Sequence, residues 1–249
     1  MCIASIILPY YKKRLFIKKS IDSILKQSFN KFEILIIYDD ENKDDLSYIK
    51  KIVNSDRRIK LIINKKNLGA GRSRNVGIKF SKGEFLCFID ADDIWKKNKL
   101  KEQINLMKKN NYYISHTSYE IINEDDQKIG FRKARTFKSY RELLTSCDVG
   151  LSTVIIKKSI FHNNLKFPDL KTKEDFVLWL KILKKGFTIH ALKKNLTSWK
   201  KTKNSLSSST YQKLKDSFTL YNRYMKFNFF KSLIYTFILS INFIFKNIK

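Results

Sequence analysis

Short apolar runs alternate with amphipathic segments through the first half of this 249-residue chain, and two of the runs end in clusters of aspartate. Ile3, Ile6, Ile7 and Leu8 form a run that stops at Pro9, and Phe32 to Tyr38 ends at Asp39-Asp40. Ile59 to Ile63 precedes a loop punctuated by Gly69 and Gly71, and Glu84 to Ile89 ends at Asp90-Ala91-Asp92-Asp93. Between these runs, Ile17, Ile21, Ile24 and Leu25 recur at the spacing of one helix face. Residues 44–54 and 71–81 read as helices, and Leu100, Ile104 and Met107 mark another. Strands this short and apolar have both faces covered. The pattern therefore predicts an α/β domain with a central, mostly parallel sheet flanked by helices. Ligands of such sheets bind beyond the carboxyl ends of the strands, where the acidic clusters fall.

The second half is less regular. Tyr112 to Ile122 and Leu151 to Lys157 read as strands and residues 139–146 as a short helix. Glu174 to Lys185 is apolar nearly all round, which predicts a buried helix. Thr210 to Met225 places Leu214, Phe218, Tyr221 and Met225 on one face. Phe227 to Phe245 is rich in Phe, Ile and Leu but broken by Lys231, Ser232, Ser240 and Asn242, with Lys226, Lys246 and Lys249 around it. A spanning helix needs about 20 apolar residues. Two readings are open for this tail: an interfacial helix on anionic lipid, or a helix packed on the domain or on a second subunit. The organisation expected is a domain over 1–209, with a ligand-binding half to about 110 and a second half over about 111–209, followed by a helical, basic and aromatic tail over 210–249.

Charge and cysteine content narrow the function classes. Lys+Arg number 51 against 23 Asp+Glu, a net charge of +28, and only nine of the basic residues are Arg. Base readers favour the planar, bidentate fork of Arg, so the Lys excess reads as a solvated surface or as attraction to a polyanion or an anionic membrane. No RNA-binding or helix-turn-helix signature accompanies it, and nucleic acid is not an expected partner. Cys2, Cys87 and Cys147 lie far apart with no paired spacing, which argues against a disulfide framework, and His116, His162 and His190 lack zinc-ligand spacing. The apolar run at Cys2 to Leu8 is too short for a signal peptide.

An Asp-x-Asp at a strand end can hold Mg²⁺ or Mn²⁺, which take one or two carboxylates together with substrate phosphates. Asp93 could equally cap the helix that follows. The first strand–helix turn, Pro9-Tyr10-Tyr11-Lys12-Lys13, carries neither GxGxxG nor a Walker lysine loop. A nucleotide bound here would need its phosphates neutralised by a metal on Asp92, with Arg72 and Arg74 adding charge-assisted bonds to a diphosphate.

These segments resemble family 2 glycosyltransferases. Ser5 to Tyr11 is similar to the family's opening, and Ser23 to Phe29 followed by Phe32-Glu33-Ile34 to the segment after it. Asn67 to Ile78 is similar to its glycine–arginine–asparagine stretch, Lys82 to Trp95 to its Asp-x-Asp segment, and Lys173 to Trp179 to its Glu-Asp motif. The matches keep the family's order over roughly residues 3–185. The resemblance implies a GT-A fold, with a nucleotide-sugar-binding half over about 1–110 and an acceptor-binding half over about 111–209, and an inverting transfer of one hexosyl or N-acetylhexosaminyl group from a nucleotide-sugar, usually a UDP-sugar. The acceptor it implies is a glycan hydroxyl, plausibly lipid-linked, in O-antigen, capsule or lipooligosaccharide synthesis. The expected location is peripheral, at the inner face of the cytoplasmic membrane. By position, Pro9 and Tyr11 would line the nucleotide pocket, Asp39 or Asp40 would bond the uracil edge, Asp90 would face the ribose, and Asp92 would ligate Mg²⁺ or Mn²⁺. Asp175, beside Glu174, would be the general base, although both carboxylates would also complement the dipole of their helix.

The chain departs from the family at several places. Lys12 stands where members often have Asn, and the turn after the second strand reads Asp39-Asp40-Glu41-Asn42. Thr202 stands where many members have a His before Ser205-Leu206-Ser207, which puts a third metal ligand in doubt. The Gln-x-x-Arg-Trp motif of processive synthases is absent. The competing readings are a sugar nucleotidyltransferase, which would need a glycine-rich phosphate loop, and a basic nucleic-acid-binding protein.

Overall fold

Strand β1 (Ala4–Tyr10) alternates its side chains between two cores. Ile6 and Leu8 enter one and Ile7 the other, as the period-2 geometry of a strand covered on both sides requires. The computed structural model describes residues 2–202 and 209–248. The Ser205-Leu206-Ser207 segment and Lys249 lie outside the described residues.

β2 (Phe32–Tyr38) and β3 (Ile59–Ile63) extend the sheet from one edge of β1, and β4 (Phe85–Phe88) pairs with its other edge, all parallel. The order reverses between β1 and β4, and that switch point opens at the carboxyl ends of both strands. Beyond β4 the sheet becomes mixed, with β8 (Ile155–Lys157) antiparallel to both β4 and β6 (Ile114–Ile122). The long β9 (Ile189–Lys200) runs parallel to β6, β5 (Ile94–Trp95) pairs antiparallel with β9, and β7 (Lys128–Arg132) hangs on β6.

One core takes Ile17, Ile21 and Ile24 of α1 (Arg14–Leu25), Ile49 of α2 (Leu46–Asn54), and Leu100, Ile104 and Met107 of α4 (Lys99–Lys109). The other takes nearly all of α6 (Glu174–Lys184), including Trp179, and is edged by α3 (Ala70–Phe80). A Cβ on Gly77 of α3 would lie 2.5 Å from Cγ2 of Ile7, so the helix seats its backbone directly on β1. The expected helix over 139–146 is a single turn, α5 (Tyr140–Leu143), and the expected strand over 151–157 begins with a 3₁₀ turn, Leu151–Thr153.

The end of the chain corrects one expectation. Helix α7 (Thr210–Thr219) passes into a π turn, Leu220–Tyr224, which rotates the face read from the sequence. Tyr221 and Met225 are buried as expected, but Leu214 is 43% exposed, and Asp216 and Ser217 are buried in its place. The last helix, α8 (Phe229–Ile248), is inverted relative to an ordinary surface helix. Ser232 and Thr236 face the domain with Leu239, while Phe230, Ile234 and Phe237 are 57–76% exposed. The Asn242 amide donates to the Thr145 carbonyl at 2.9 Å. Among the described residues, no helix is long and apolar enough to cross a membrane.

Candidate active site

The two acidic clusters flank the carboxyl end of β1, one after β2 and the other after β4. Asp39 follows β2, and its carboxylate accepts from the Asn64 amide at 2.7 Å, from the Leu68 N–H at 2.8 Å and from the Gly69 N–H at 2.8 Å. Those bonds hold the loop that leads into α3. Asp40 accepts one bond, from the Asn42 N–H at 3.2 Å. Asp40 therefore keeps a carboxylate oxygen without a donor among the described residues, whereas Asp39 is spent mostly on the loop. Pro9 is half-buried at the end of β1, and the Tyr11 ring just beyond it is 39% exposed. Tyr10 instead turns inward, donates to Asp45 at 2.6 Å and stacks on Tyr38.

Arg74, expected on a diphosphate, is held by carboxylates of the chain. Its side chain is 3% exposed, and its two terminal nitrogens donate to Glu174 at 2.6 Å and to Asp90 at 2.7 Å. The guanidinium is a buried strut between the Asp-x-Asp loop and the first turn of α6, and among the described residues its buried Nε has no hydrogen-bond partner. Arg72 is the exposed member of the pair, with a 3.5 Å contact to Asp169. The rest of the glycine–arginine–asparagine stretch also joins the two halves. The Asn75 side chain exchanges two bonds with the Phe167 backbone, and Gly71 lies so close to Glu174 that a Cβ would come within 3.0 Å of its Cγ.

The three carboxylates of the Asp-x-Asp-Asp loop have different fates. Asp90 is half-exposed and has one oxygen on Arg74. Asp93 does not cap α4, whose cap residue is Asn98. Asp93 is buried, accepts from the Ser152 hydroxyl and the Lys200 N–H, and is pushed up by desolvation and by its acidic neighbours. Asp92 has, among the described residues, a single ion partner, Lys13 Nζ at 2.8 Å. Burial and Asp90 raise the Asp92 pKa against the pull of Lys13. Asp92 and the first turns of α1, through Leu15, Phe16 and Lys19, border a cleft of about 180 Å³, also lined by Glu124, Asp126 and Lys200. A larger cleft of about 750 Å³ lies at the opposite, amino ends of the strands among Lys31, Phe32 and Arg58, away from both acidic clusters.

At the other wall, α6 begins after Lys173, whose left-handed φ of 66° turns the chain sharply into the helix. Asp175 Oδ1 accepts the Phe176 N–H at 2.7 Å, and burial raises the pKa against Arg74 and that amide. Burial also pushes Glu174 up to about 7, with Arg74 opposing. Among the described residues, no group of three or more His, Cys, Asp and Glu converges to hold an ion. The donor set still suits a hard cation, because Asp92 and the second oxygen of Asp90 could supply carboxylates and a diphosphate the remaining ligands.

Three contributors escaped the sequence reading. Ser152 receives the Asp90 N–H at 3.1 Å and donates to Asp93, and its carbonyl takes the Trp95 indole N–H at 2.8 Å. Tyr119 lies close enough to Asp93 and Asp175 to feel both charges. Lys13 was visible only as one lysine among many.

Comparison with known proteins agrees with this architecture. Glycosyl transferase family 2 matches residues 5–163. The chain belongs to that family. It is 37% identical over 215 residues to the Escherichia coli UDP-Glc:alpha-D-GlcNAc-diphosphoundecaprenol beta-1,3-glucosyltransferase WfgD, covering 86% of this chain and 83% of that enzyme. It is 33% identical over 216 residues to WfaP, of the same named activity and organism, covering 86% and 83%. Among solved structures, S. aureus TarS 1-349 in complex with UDP-GlcNAc superposes with a TM-score of 0.72 at 21% identity, over 97% of this chain and 71% of that one. The fold is GT-A, and the chain is a glycosyltransferase.

Proposed function

We propose that this glycosyltransferase moves one sugar, with inversion, from a UDP-sugar to a hydroxyl of a lipid-linked glycan in surface polysaccharide synthesis. The observation that carries the reading is the Arg74 strut, which fixes Asp90 and the Glu174-Asp175 turn against each other across the switch point. An in-line displacement needs a base on one side of the sugar and charge neutralisation on the other. The Asp90–Asp92 loop and the start of α6 suit those two roles.

In this reading the uracil edge meets the free oxygen of Asp40 or the remaining capacity of Asp39, between Pro9 and the Tyr11 ring. The ribose meets the open oxygen of Asp90. Asp92 and Asp90 would hold Mg²⁺ or Mn²⁺, which when bound neutralises the departing diphosphate as a Lewis acid. Arg72, exposed at the start of α3, reaches the phosphates from the other side. Asp175 takes the proton of the acceptor hydroxyl on the oxygen that does not accept the Phe176 N–H. Glu174 stays on Arg74 and acts by holding the turn.

The acceptor class is drawn from WfgD and WfaP, whose names specify a diphosphoundecaprenol-linked GlcNAc. The apolar outer face of α8, with Lys226 and Lys231 beside it, suits docking on an anionic bilayer at the cytoplasmic side. The test is incubation of the protein with UDP-glucose and with UDP-GlcNAc in the presence of GlcNAc-diphospholipid. UDP release coupled to a β-linked product from an α-linked donor is the expected result. Hydrolysis or transfer with retained configuration would overturn the reading.

A further inference from the structure

The cations of the site are unequally available. Arg74 is sealed between two carboxylates. Lys200 is buried, with its ammonium on Asp126 and on the carbonyls of Asn123 and Glu124. Lys13 differs from both. Its backbone follows Lys12, which holds a left-handed φ of 48°, a conformation rare for a side chain of this size. That kink ends β1 and starts α1, and it aims the Lys13 ammonium across the loop at Asp92, 2.8 Å away, and at the Thr202 hydroxyl, 3.1 Å away. The Lys13 side chain is 22% exposed and that of Asp92 12%. An ammonium has three N–H donors, and two of them are used among the described residues.

We propose that Lys13 is the resident counter-ion of the donor site. In the nucleotide-free protein it holds Asp92, and when the donor enters it turns its remaining N–H onto the diphosphate. The position follows from the geometry. The carboxyl ends of β2 and β4, on either side of β1, carry Asp39, Asp40, Asp90, Asp92 and Asp93, and a diphosphate brought among them meets repulsion unless a cation is already there. Asp92 holds Lys13 in place, and Thr202, from the end of β9, fixes the ammonium from a second direction. Part of the phosphate neutralisation is then supplied by the chain itself. Nucleotide affinity persists when divalent metal is removed, and the diphosphate contributes to that residual affinity. This proposal rests on the reading of the cleft as a UDP-sugar site.

The experiment titrates UDP and, separately, uridine into the full chain in EDTA, for the wild type, Lys13→Met and Lys13→Arg. The wild type should bind UDP more tightly than uridine. Lys13→Met should lose about ten- to a hundredfold in UDP affinity, the range of one charge-assisted hydrogen bond, with uridine affinity unchanged, and Lys13→Arg should recover much of the loss. Uridine serves as the check that the variant pocket is folded. Equal UDP affinity in the wild type and Lys13→Met would overturn the proposal. So would a Lys13→Met loss shared equally by uridine, which would make Lys13 a prop of the loop. A wild type that binds neither compound would instead remove the underlying reading of the cleft, and the proposal with it.

Discussion

Replacing Arg74 by Met tests whether the strut holds the site together. The guanidinium is 3% exposed and bonded at 2.6 and 2.7 Å. Met fills a similar length with no charge, so Glu174, 8% exposed, is left as a buried carboxylate without its cation. Removing one partner of a buried pair costs about 3–5 kcal/mol. For a chain of this size that corresponds to a fall in Tm of roughly 6–20 °C. The assay is thermal and urea unfolding at pH 8 of Arg74→Met and of Arg74→Met with Glu174→Gln. The double variant should recover a large share of the loss, because no charge is then buried alone, while Asp90, half-exposed, can be hydrated. The pH dependence has a defined sign. Without Arg74, the folded-state pKa of Glu174 lies still further above its unfolded value of about 4.3. The folded protein then holds a proton that the unfolded chain has released, so the stability of Arg74→Met falls as pH rises above that value and is regained on acidification. A single variant that loses less than about 1 kcal/mol at pH 8, or a double variant no better than the single, would refute the reasoning.

Gly77→Ala should cost about 1–3 kcal/mol by urea denaturation, because its Cβ would meet Cγ2 of Ile7 at 2.5 Å, and combined with Ile7→Ala, which removes both γ carbons, it should cost less than the sum of the two single substitutions. The acidic limb of kcat/KM should lie above the ordinary aspartate value of about 3.9, because burial raises Asp175, and activity should fall as pH drops through it; a limb below that value would contradict the base assignment. Replacing exposed Phe230, Ile234 and Phe237 by Ser should release the protein from anionic vesicles in a flotation assay, with the folded domain unchanged by circular dichroism. Undiminished vesicle binding, or a wild-type dimer in sedimentation that covers this face in place of lipid, would refute the membrane reading.

Much of the first half of the chain was legible because its strands carry their own boundaries. Phe32–Tyr38 stands as read, and Ile17, Ile21 and Ile24 are the buried face of α1. Strand β9 was not legible. Lys193 and Lys194 interrupt its pattern, and its pairing with β6 shifts register nearby, so the period-2 signal breaks where it would be read. The site divided similarly. Asp92 and Asp175 stood out by type and position. The burial of Arg74 did not, because the carboxylates that claim it are 16 and 100 positions away in the chain. Lys13 was hidden by composition, since a functional lysine carries no signal in a chain so rich in them. The inverted face of α8 was concealed by its serines and threonine, which read as interruptions of an apolar helix and are its packing surface.

The most direct test of the account is single-turnover sugar transfer by the wild type and Asp175→Asn, with the UDP affinity of both measured alongside. Asn preserves the shape of the side chain and removes its ability to take a proton. The account predicts matched UDP affinities and a transfer rate lower by about 10² to 10⁴, the usual contribution of a general base. Transfer by Asp175→Asn at the wild-type rate would contradict it.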